Sequence, residues 1–407
     1  VVRSERTPMV GDKFCCFDPF HEILTTDGWV NVTSVTLNHK VACLMDGTRL
    51  EYHNPKKIMD YDFDGEMYVV KSNQVDLKVT PNHRMYYRGK HPGALWHIDR
   101  ADKIFGKRHK YKKNVDSWIP DVNDQEFPWH LVLTNGEITH FRFDSYIDGH
   151  GKHIPELQID IDSWLTLYGI YIAEGTVRPY SITYATDKPR VQKALDEAIE
   201  KCKLKMTKNM SKGERVKWEL WCTHAVRLIG NGHIAITKSL QDWVWWLNRE
   251  QCKKLITAML LGDGGQMENG TWRYYTSSTE LANDFQRLCL HAGYSCNKLL
   301  KEEEGHTHCG IKSGIPITCN ADYWVLTVIT SQNEPLINKY IPHKENHYSK
   351  IPFDGKVYCC TVTEGDGIIY VRRNGHPIWC GQSRSAQKGT IGMVYRHQDM
   401  PFTKHGI

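Results

Sequence analysis

Three places in the chain carry residues suited to breaking a peptide bond. Cys16 opens the stretch Cys16-Phe17-Asp18-Pro19-Phe20-His21-Glu22-Ile23-Leu24-Thr25. A cysteine thiolate is intrinsically nucleophilic, and its pKa of ~8.5 lies within reach of a neighbouring base. Thr80-Pro81-Asn82-His83 sets a hydroxyl and an imidazole three residues apart. An imidazole with a pKa near ambient pH can give a proton to a departing nitrogen, and a hydroxyl can hold the scissile amide or its oxyanion. Gln382 and Ser383 place a carboxamide beside a hydroxyl. The carboxamide can attack its own main-chain carbonyl and close a six-membered ring, and the hydroxyl can accept an acyl group. A different chemistry is implied by residues 165–175 (LTLYGIYIAEG) and 255–264 (LITAMLLGDG), which end in Glu174-Gly175 and Asp263-Gly264. Two carboxylates held together offer hard oxygen ligands for Mg²⁺ or Mn²⁺.

These groups need elements to position them. Residues 22–25, Asp27-Gly28 and 29–32 read as a hairpin, and 41–45, Asp46-Gly47 and 48–52 repeat the signal. Residues 67–71 and 75–79 continue an all-β start. Residues 84–153 read as polar, aromatic and irregular. Helical periodicity begins near Asp160, with Trp164, Leu167, Tyr168 and Tyr171 at three- and four-residue steps. Residues 187–202, 251–261 and 280–292 follow, and Val191, Leu195, Ile199 and Cys202 share one helical face. Strand text returns at 356–363 and 368–372. The pattern is a β domain split by an inserted helix-containing domain, so its junctions belong at exposed loops with neighbouring ends. Gly169 and Ala258 are small where two apolar helices would touch. Cys359 and Cys360 should face opposite ways on a strand, with Cys360 in the core.

Composition narrows the class. At 407 residues the chain has room for two or three domains. With 52 basic and 47 acidic residues its net charge is +5, too mild to name a nucleic-acid partner by itself. Lys107, Arg108, Lys110, Lys112 and Lys113 form a basic run that is either a solvated loop or a DNA-phosphate contact. No apolar run reaches 18 residues, and the start does not read as a signal peptide. Thirteen cysteines, an odd number, fit a reducing intracellular setting. His306, His308, Cys309 and Cys319 sit close in sequence, but no C-x-x-C pair accompanies them, so they read as loop and core residues.

The block from Cys16 to Thr25, Thr80-Pro81-Asn82-His83, Val357-Tyr358-Cys359-Cys360-Thr361-Val362 and the closing stretch YVRRNGHPIWCGQ before Ser383 resemble, in order and spacing, the four splicing blocks of inteins. Joined, residues 1–15 and 383–407 resemble a segment of the second-largest subunit of multisubunit RNA polymerase, through Gly11-Asp12-Lys13-Phe14, Gln387-Lys388-Gly389-Thr390 and Met400-Pro401-Phe402-Thr403. Cys15 stands where that family usually has Ala, and Ser385-Ala386 where it has His-Gly. Residues 165–175 and 255–264 resemble the signature helices of LAGLIDADG homing endonucleases.

The resemblances imply an α+β multidomain chain, with an all-β HINT splicing domain split by an αβ endonuclease of two pseudo-symmetric repeats. The flanks are 1–15 and 383–407. The splicing domain is 16–153, with a polar insertion from about 84, and 341–382; the endonuclease is 154–340. Cys16, Thr80, His83, Cys359, Gln382 and Ser383 would carry splicing, without a cofactor. Inteins usually end His-Asn; here Gly381-Gln382 replaces it, and His376 is a candidate substitute for the missing histidine. Cys359 stands where many inteins have Asp. Glu174 and Asp263 would hold Mg²⁺ or Mn²⁺, and Lys238 matches a family lysine often found near the attacking water. The implied partners are double-stranded DNA encoding the uninterrupted host segment and, after splicing, the other polymerase subunits. The protein would act as a monomer, nuclear or cytoplasmic. Competing readings are an endonuclease that only binds DNA or supports the fold, an autoprocessing hydrolase that cleaves without ligating, and a plain polymerase fragment. Ser383 and the polymerase-like flanks argue against cleavage alone, and the flanks are far too short to polymerise anything.

Overall fold

A computed structural model describes residues 15–121, 130–147, 150–210, 216–230, 234–309, 316–337 and 347–382. Ser383 and both flanks up to Phe14 lie outside the described residues, as does the expected 340/341 boundary. The protein is mixed α+β and mostly sheet. No described helix is long and apolar enough to cross a membrane.

Strands from both ends of the chain share sheets. Lys57–Lys71 pairs with Tyr348–Thr361 from Tyr348↔Val70 to Thr361↔Lys57. His21–Thr25 pairs with Ile368–Arg373, which in turn pairs with His376–Gly381. Both expected hairpins are present. Asp46 and Gly47 both have positive φ, 51° and 70°, the pattern of a tight hairpin turn that matches strand twist. Cys359 packs with Cys16 and Met67, while Cys360 faces the core that holds Phe17 and Ile23.

The middle of the chain is built from two copies of one plan. Helix Ile161–Glu174 precedes a four-stranded sheet in the order 175–177, 181–186, 216–221, 206–210. Helix Arg249–Asp263 precedes a sheet in the equivalent order 264–266, 272–276, 323–329, 295–302. Asp160 and Asn248 cap the two helices through bonds to Ser163 N and Gln251 N, satisfying donors that a helix start leaves open. The helices cross at their small residues. A Cβ on Gly169 would lie 2.5 Å from Ala258 Cβ, and one on Gly262 would lie 2.2 Å from Ala173 Cβ. Gly175 and Gly264 are extended rather than left-handed, with φ of −102° and −97°. Their need is steric, because a Cβ there would strike the preceding helical turn at Tyr171 or Leu260.

Two expectations about the middle change. Residues 84–153 are not irregular: Arg84–Arg88 and Trp96–Arg100 pair, as do His130–Thr134 and Glu137–Phe143. The inserted unit does not start at 154. Leu131, Ile138, Phe141 and Phe143 pack in the same core as Trp164 and Tyr168, and Glu137–Phe143 pairs with Leu157–Asp160. Polar and aromatic residues on these half-exposed strands blur the two-residue alternation that marks a strand.

The two units meet through buried polar bonds. Arg372, fully buried, holds Glu22 with two bonds of 2.6 and 2.7 Å and donates to Gln286 Oε1 at 2.7 Å.

Candidate functional site

The start of the first splicing block is clamped between strands. Phe17 exchanges both main-chain bonds with Tyr358, at 2.9 and 3.0 Å. Cys16 N donates to Thr80 Oγ1 at 3.0 Å, and Thr80 N donates to Cys16 O at 3.1 Å. Thr80 therefore holds the amide that follows Cys15 by its own nitrogen. The Cys16 thiol is fully buried; its neighbour Cys359 and its burial push its pKa far up, so at rest it keeps its proton. Burial and Cys359 do the same to Cys15.

His83 stands beside this junction. Its Nδ1 lies 3.8 Å from Cys15 Sγ, and its ring packs edge-on against Phe17. Burial, then the charges of His21 and Arg84, lower its pKa to about 3. The imidazole expected to titrate near ambient pH is therefore neutral in the resting fold. So low a pKa makes it a weak base that, once protonated, gives the proton up readily.

The far end of the block is adjacent. His83 Nε2 lies 3.0 Å from Cys380 Sγ. Arg84 N donates to Cys15 Sγ at 3.1 Å, while Arg84 Nη1 donates to the Gln382 carbonyl at 3.1 Å. Gln382 is fully buried; its Nε2 donates to Val362 O at 2.8 Å, and its N donates to Gly367 O at 2.9 Å. Gly367, at φ 67°, leaves room for that carboxamide, since a Cβ there would lie 2.8 Å from Gln382 Nε2. A Cβ on Gly381 would lie 2.6 Å from Arg84 O, so the penultimate position has no space for a histidine.

His376 is not the substitute expected. It sits at the hairpin end of strand His376–Gly381, its Nδ1 on Asn374 O, and five residues of strand, roughly 16 Å, separate it from Gly381. The residue that sequence reasoning passed over is Arg84. Its position next to His83 was the only available signal.

The second site lies at the ends of the crossed helices. Glu174 and Asp263 close their helices side by side, where helix dipoles already concentrate negative potential. Burial, then the charge of Glu174, raises the Asp263 carboxyl to about 6. Lys188 Nζ binds Glu174 Oε1 and Gly262 O, each at 2.6 Å. This crowded negative charge, already attracting an ammonium, fits a divalent cation. Lys238 lines a cavity of about 200 Å³ with Asp263. Its three donors are engaged by Tyr171 O, Ile172 O and Gly175 O, so it caps the first helix. Burial lowers its pKa to about 8, opposed by Asp263 and Glu174.

The basic run does not form one face. Lys107 and Arg108 are exposed and Lys110 is half-buried. Lys113 is fully buried, bonded to Gln74 O and Asn297 Oδ1 at 2.5 Å each, and burial lowers its pKa to about 7. Lys112 is buried against Asp116 at 3.0 Å. The expected phosphate role is withdrawn for Lys113, which Gln74 and Asn297 enclose at the junction between the two units, whereas the Lys112 ammonium is engaged by Asp116.

Comparison with known proteins follows this geometry. No protein-family model matches the chain. Over 98% of its length the chain is 30% identical to a protein of Stigeoclonium helveticum described as "DNA-directed RNA polymerase subunit beta C-terminal section", of which it covers 39%. Over 76% of its length it is 31% identical to an "ATP-dependent Clp protease proteolytic subunit" of Chlamydomonas moewusii, of which it covers 31%. The chain thus spans well under half of each relative. Among solved structures, variants of the homing endonuclease I-DmoI align with a TM-score of 0.29 and 11% identity, over 42% of this chain and 90% of that one. A split intein, AceL NrdHF, aligns with a TM-score of 0.22 and 20% identity, over 34% of this chain and 94% of that one.

Proposed function

We propose that this chain is a self-splicing precursor that excises residues 16–382, joins its flanks, and carries a homing endonuclease in the excised part. The observation that carries the reading is that His83 and Arg84 touch both junctions of one segment, Cys15 just before its start and Cys380 and Gln382 at its close. The relatives add support. The chain matches subunits of two unrelated enzymes, and the two matches overlap over most of it, as a segment that moves between hosts would.

Each splicing step is assigned to a residue of the chain. As the Cys16 sulfur attacks the Cys15 carbonyl its thiol proton is released, and His83 delivers a proton to the leaving nitrogen. The C–N bond breaks, and the proton passes to the amine of Cys16, whose N–H Thr80 already holds. The Ser383 hydroxyl then displaces the Cys16 sulfur and forms an ester. Gln382 Nε2 attacks its own carbonyl, polarised by Arg84, and the bond to Ser383 breaks. The freed amine of Ser383 takes the acyl group from its own oxygen.

For the inserted unit, Glu174 and Asp263 would hold Mg²⁺ or Mn²⁺, which when bound supplies charge stabilisation for phosphodiester hydrolysis. Lys238 keeps the first helix end rigid beside Asp263. One observation favours the second reading, a unit that binds DNA or supports the fold without cutting: Lys188 already neutralises Glu174.

The test is to express the chain and weigh its products. The expected products are the flanks joined as one peptide and residues 16–382 free. Cys16→Ala should yield neither. Joined flanks from that variant would overturn the assignment and point to Cys15. Cleavage of a duplex encoding the joined flanks, with Mg²⁺, separates the two readings of the inserted unit.

A further inference from the structure

Away from both centres, Glu302, His306 and Cys319 converge beside the sheet of the second repeat. Glu302 ends strand Ser295–Glu302, where the register against Tyr323–Ile329 slips between Leu300 and Glu302. His306 lies in the turn leading to Thr307–Cys309, and Cys319 follows Pro316–Thr318. Main-chain bonds lock the three segments together: Cys319 N donates to His306 O at 2.9 Å, Gly305 N to Cys319 O at 2.8 Å, and His306 N to Glu303 O at 3.1 Å. The side chains follow. Cys319 Sγ lies 3.1 Å from Glu302 Oε2, and one ligand atom from each of the three residues lies within 4.8 Å of the others. Glu302 and Cys319 are half-buried, and His306 is exposed.

This donor set is selective. A thiol is a poor ligand for Mg²⁺ or Ca²⁺, and an imidazole, a thiolate and a carboxylate together suit Zn²⁺. Reading the cysteines and histidines alone missed it, because the carboxylate of Glu302 is the residue that completes the set. We propose that Glu302, His306 and Cys319 form a zinc site, with water in the fourth position, that clamps the root of the strand pair Thr307–Cys309 and Pro316–Thr318. Binding replaces the Cys319 thiol proton, which leaves to solvent, so affinity should rise with pH. Three side chains at a strand end, a turn and a strand exit would then be tied by the ion as well as by the main chain. The site depends on neither the splicing nor the endonuclease reading.

Co²⁺ alone, titrated into the full purified chain, is the probe. One equivalent should give a sulfur-to-cobalt absorption in the near ultraviolet and tetrahedral bands in the visible, both erased by Zn²⁺. Cys319→Ser should abolish the sulfur band, and Cys222→Ser, a half-exposed thiol in the other repeat, should leave it unchanged. Glu302→Gln keeps the side-chain volume and should retain the sulfur band with an affinity lower by about tenfold or more. It therefore tests the site should Cys319→Ser fail to fold. No sulfur band in the parent chain overturns the proposal. So does a band that survives Cys319→Ser, which would place the ion on the thiols around Cys16 and Cys359, or an affinity unchanged in Glu302→Gln.

Discussion

Arg84 donates from its guanidinium to the carbonyl oxygen of Gln382 at 3.1 Å, across 298 residues of sequence. Its second nitrogen donates to Asp366 O at 3.0 Å, which fixes the direction of the fork. That carbonyl is the one Gln382 would attack in the closing step. A fixed cation there stabilises the charge that develops on oxygen as the ring forms.

Arg84→Ala should therefore slow release of the excised segment by roughly 10²-fold or more. Formation of the thioester at Cys16 should persist, because the bond from residue 84 to Cys15 comes from the main chain. Mass spectrometry of a time course would show the branched ester accumulating. Unchanged release kinetics would remove Arg84 from the mechanism.

Gln382→Asn should keep or speed excision, because a five-membered ring closes more readily than a six-membered one. Gln382→Ala should trap the branched ester or shed only the N-terminal flank. The structure adds a condition: Gln382 Nε2 is held by Val362 O, while its Oε1 is buried without a partner among the described residues. Slower excision in the Asn variant would mean that this bond positions the nitrogen and outweighs ring size.

The raised carboxyl of Asp263 has a signed consequence. Burial and Glu174 lift it to about 6. As pH rises from about 4 to about 6, the unfolded chain ionises this group before the folded one does, so its contribution to stability falls across that window. Cation binding needs the ionised form and should strengthen over the same range. Glu174→Gln should bring the Asp263 titration back toward the ordinary carboxylate range, as followed by NMR. An unmoved titration would show that burial alone sets it. Glu174→Gln and Asp263→Asn should each abolish DNA cutting, with DNA binding and splicing retained.

Gly169→Ala should destabilise the inserted unit by about 1–3 kcal/mol, since the new methyl would lie 2.5 Å from Ala258 Cβ. Denaturant unfolding measures this. Adding Ala258→Gly should recover part of the loss, because it removes the methyl clash while the new Cβ still lies 3.0 Å from Met259 N. A double variant no more stable than the single one would mean that the helices are held apart by another contact.

Breaking the polar link between the units is a separate test. Arg372→Met removes the charge held by Glu22 and Gln286, and it leaves a carboxylate half-buried at the junction. A loss of up to about 3–5 kcal/mol is the scale for breaking such a pair. Differential scanning calorimetry should show the splitting of one transition into two if the link couples the units.

Much of this protein could be read locally. Cys16, Thr80 and His83 were nameable because the blocks that hold them resemble, in order and spacing, those of inteins. The hairpins at Asp27-Gly28 and Asp46-Gly47 were readable because two-residue turns demand particular backbone angles. The helices ending at Glu174 and Asp263 declared themselves by apolar periodicity, and Gly169 and Ala258 by their size. What the sequence could not carry was who faces whom across the fold. Arg84 reaches Gln382 only because strand Arg84–Arg88 packs beside strand His376–Gly381. Lys113 looked like a surface charge until Gln74 and Asn297 closed over it. His83 has an ordinary imidazole's chemistry on paper and a pKa of about 3 in place, because desolvation belongs to the surroundings and not to the side chain. Spacing along a chain encodes short-range geometry; burial and pairing between distant segments are decided when the sheets close.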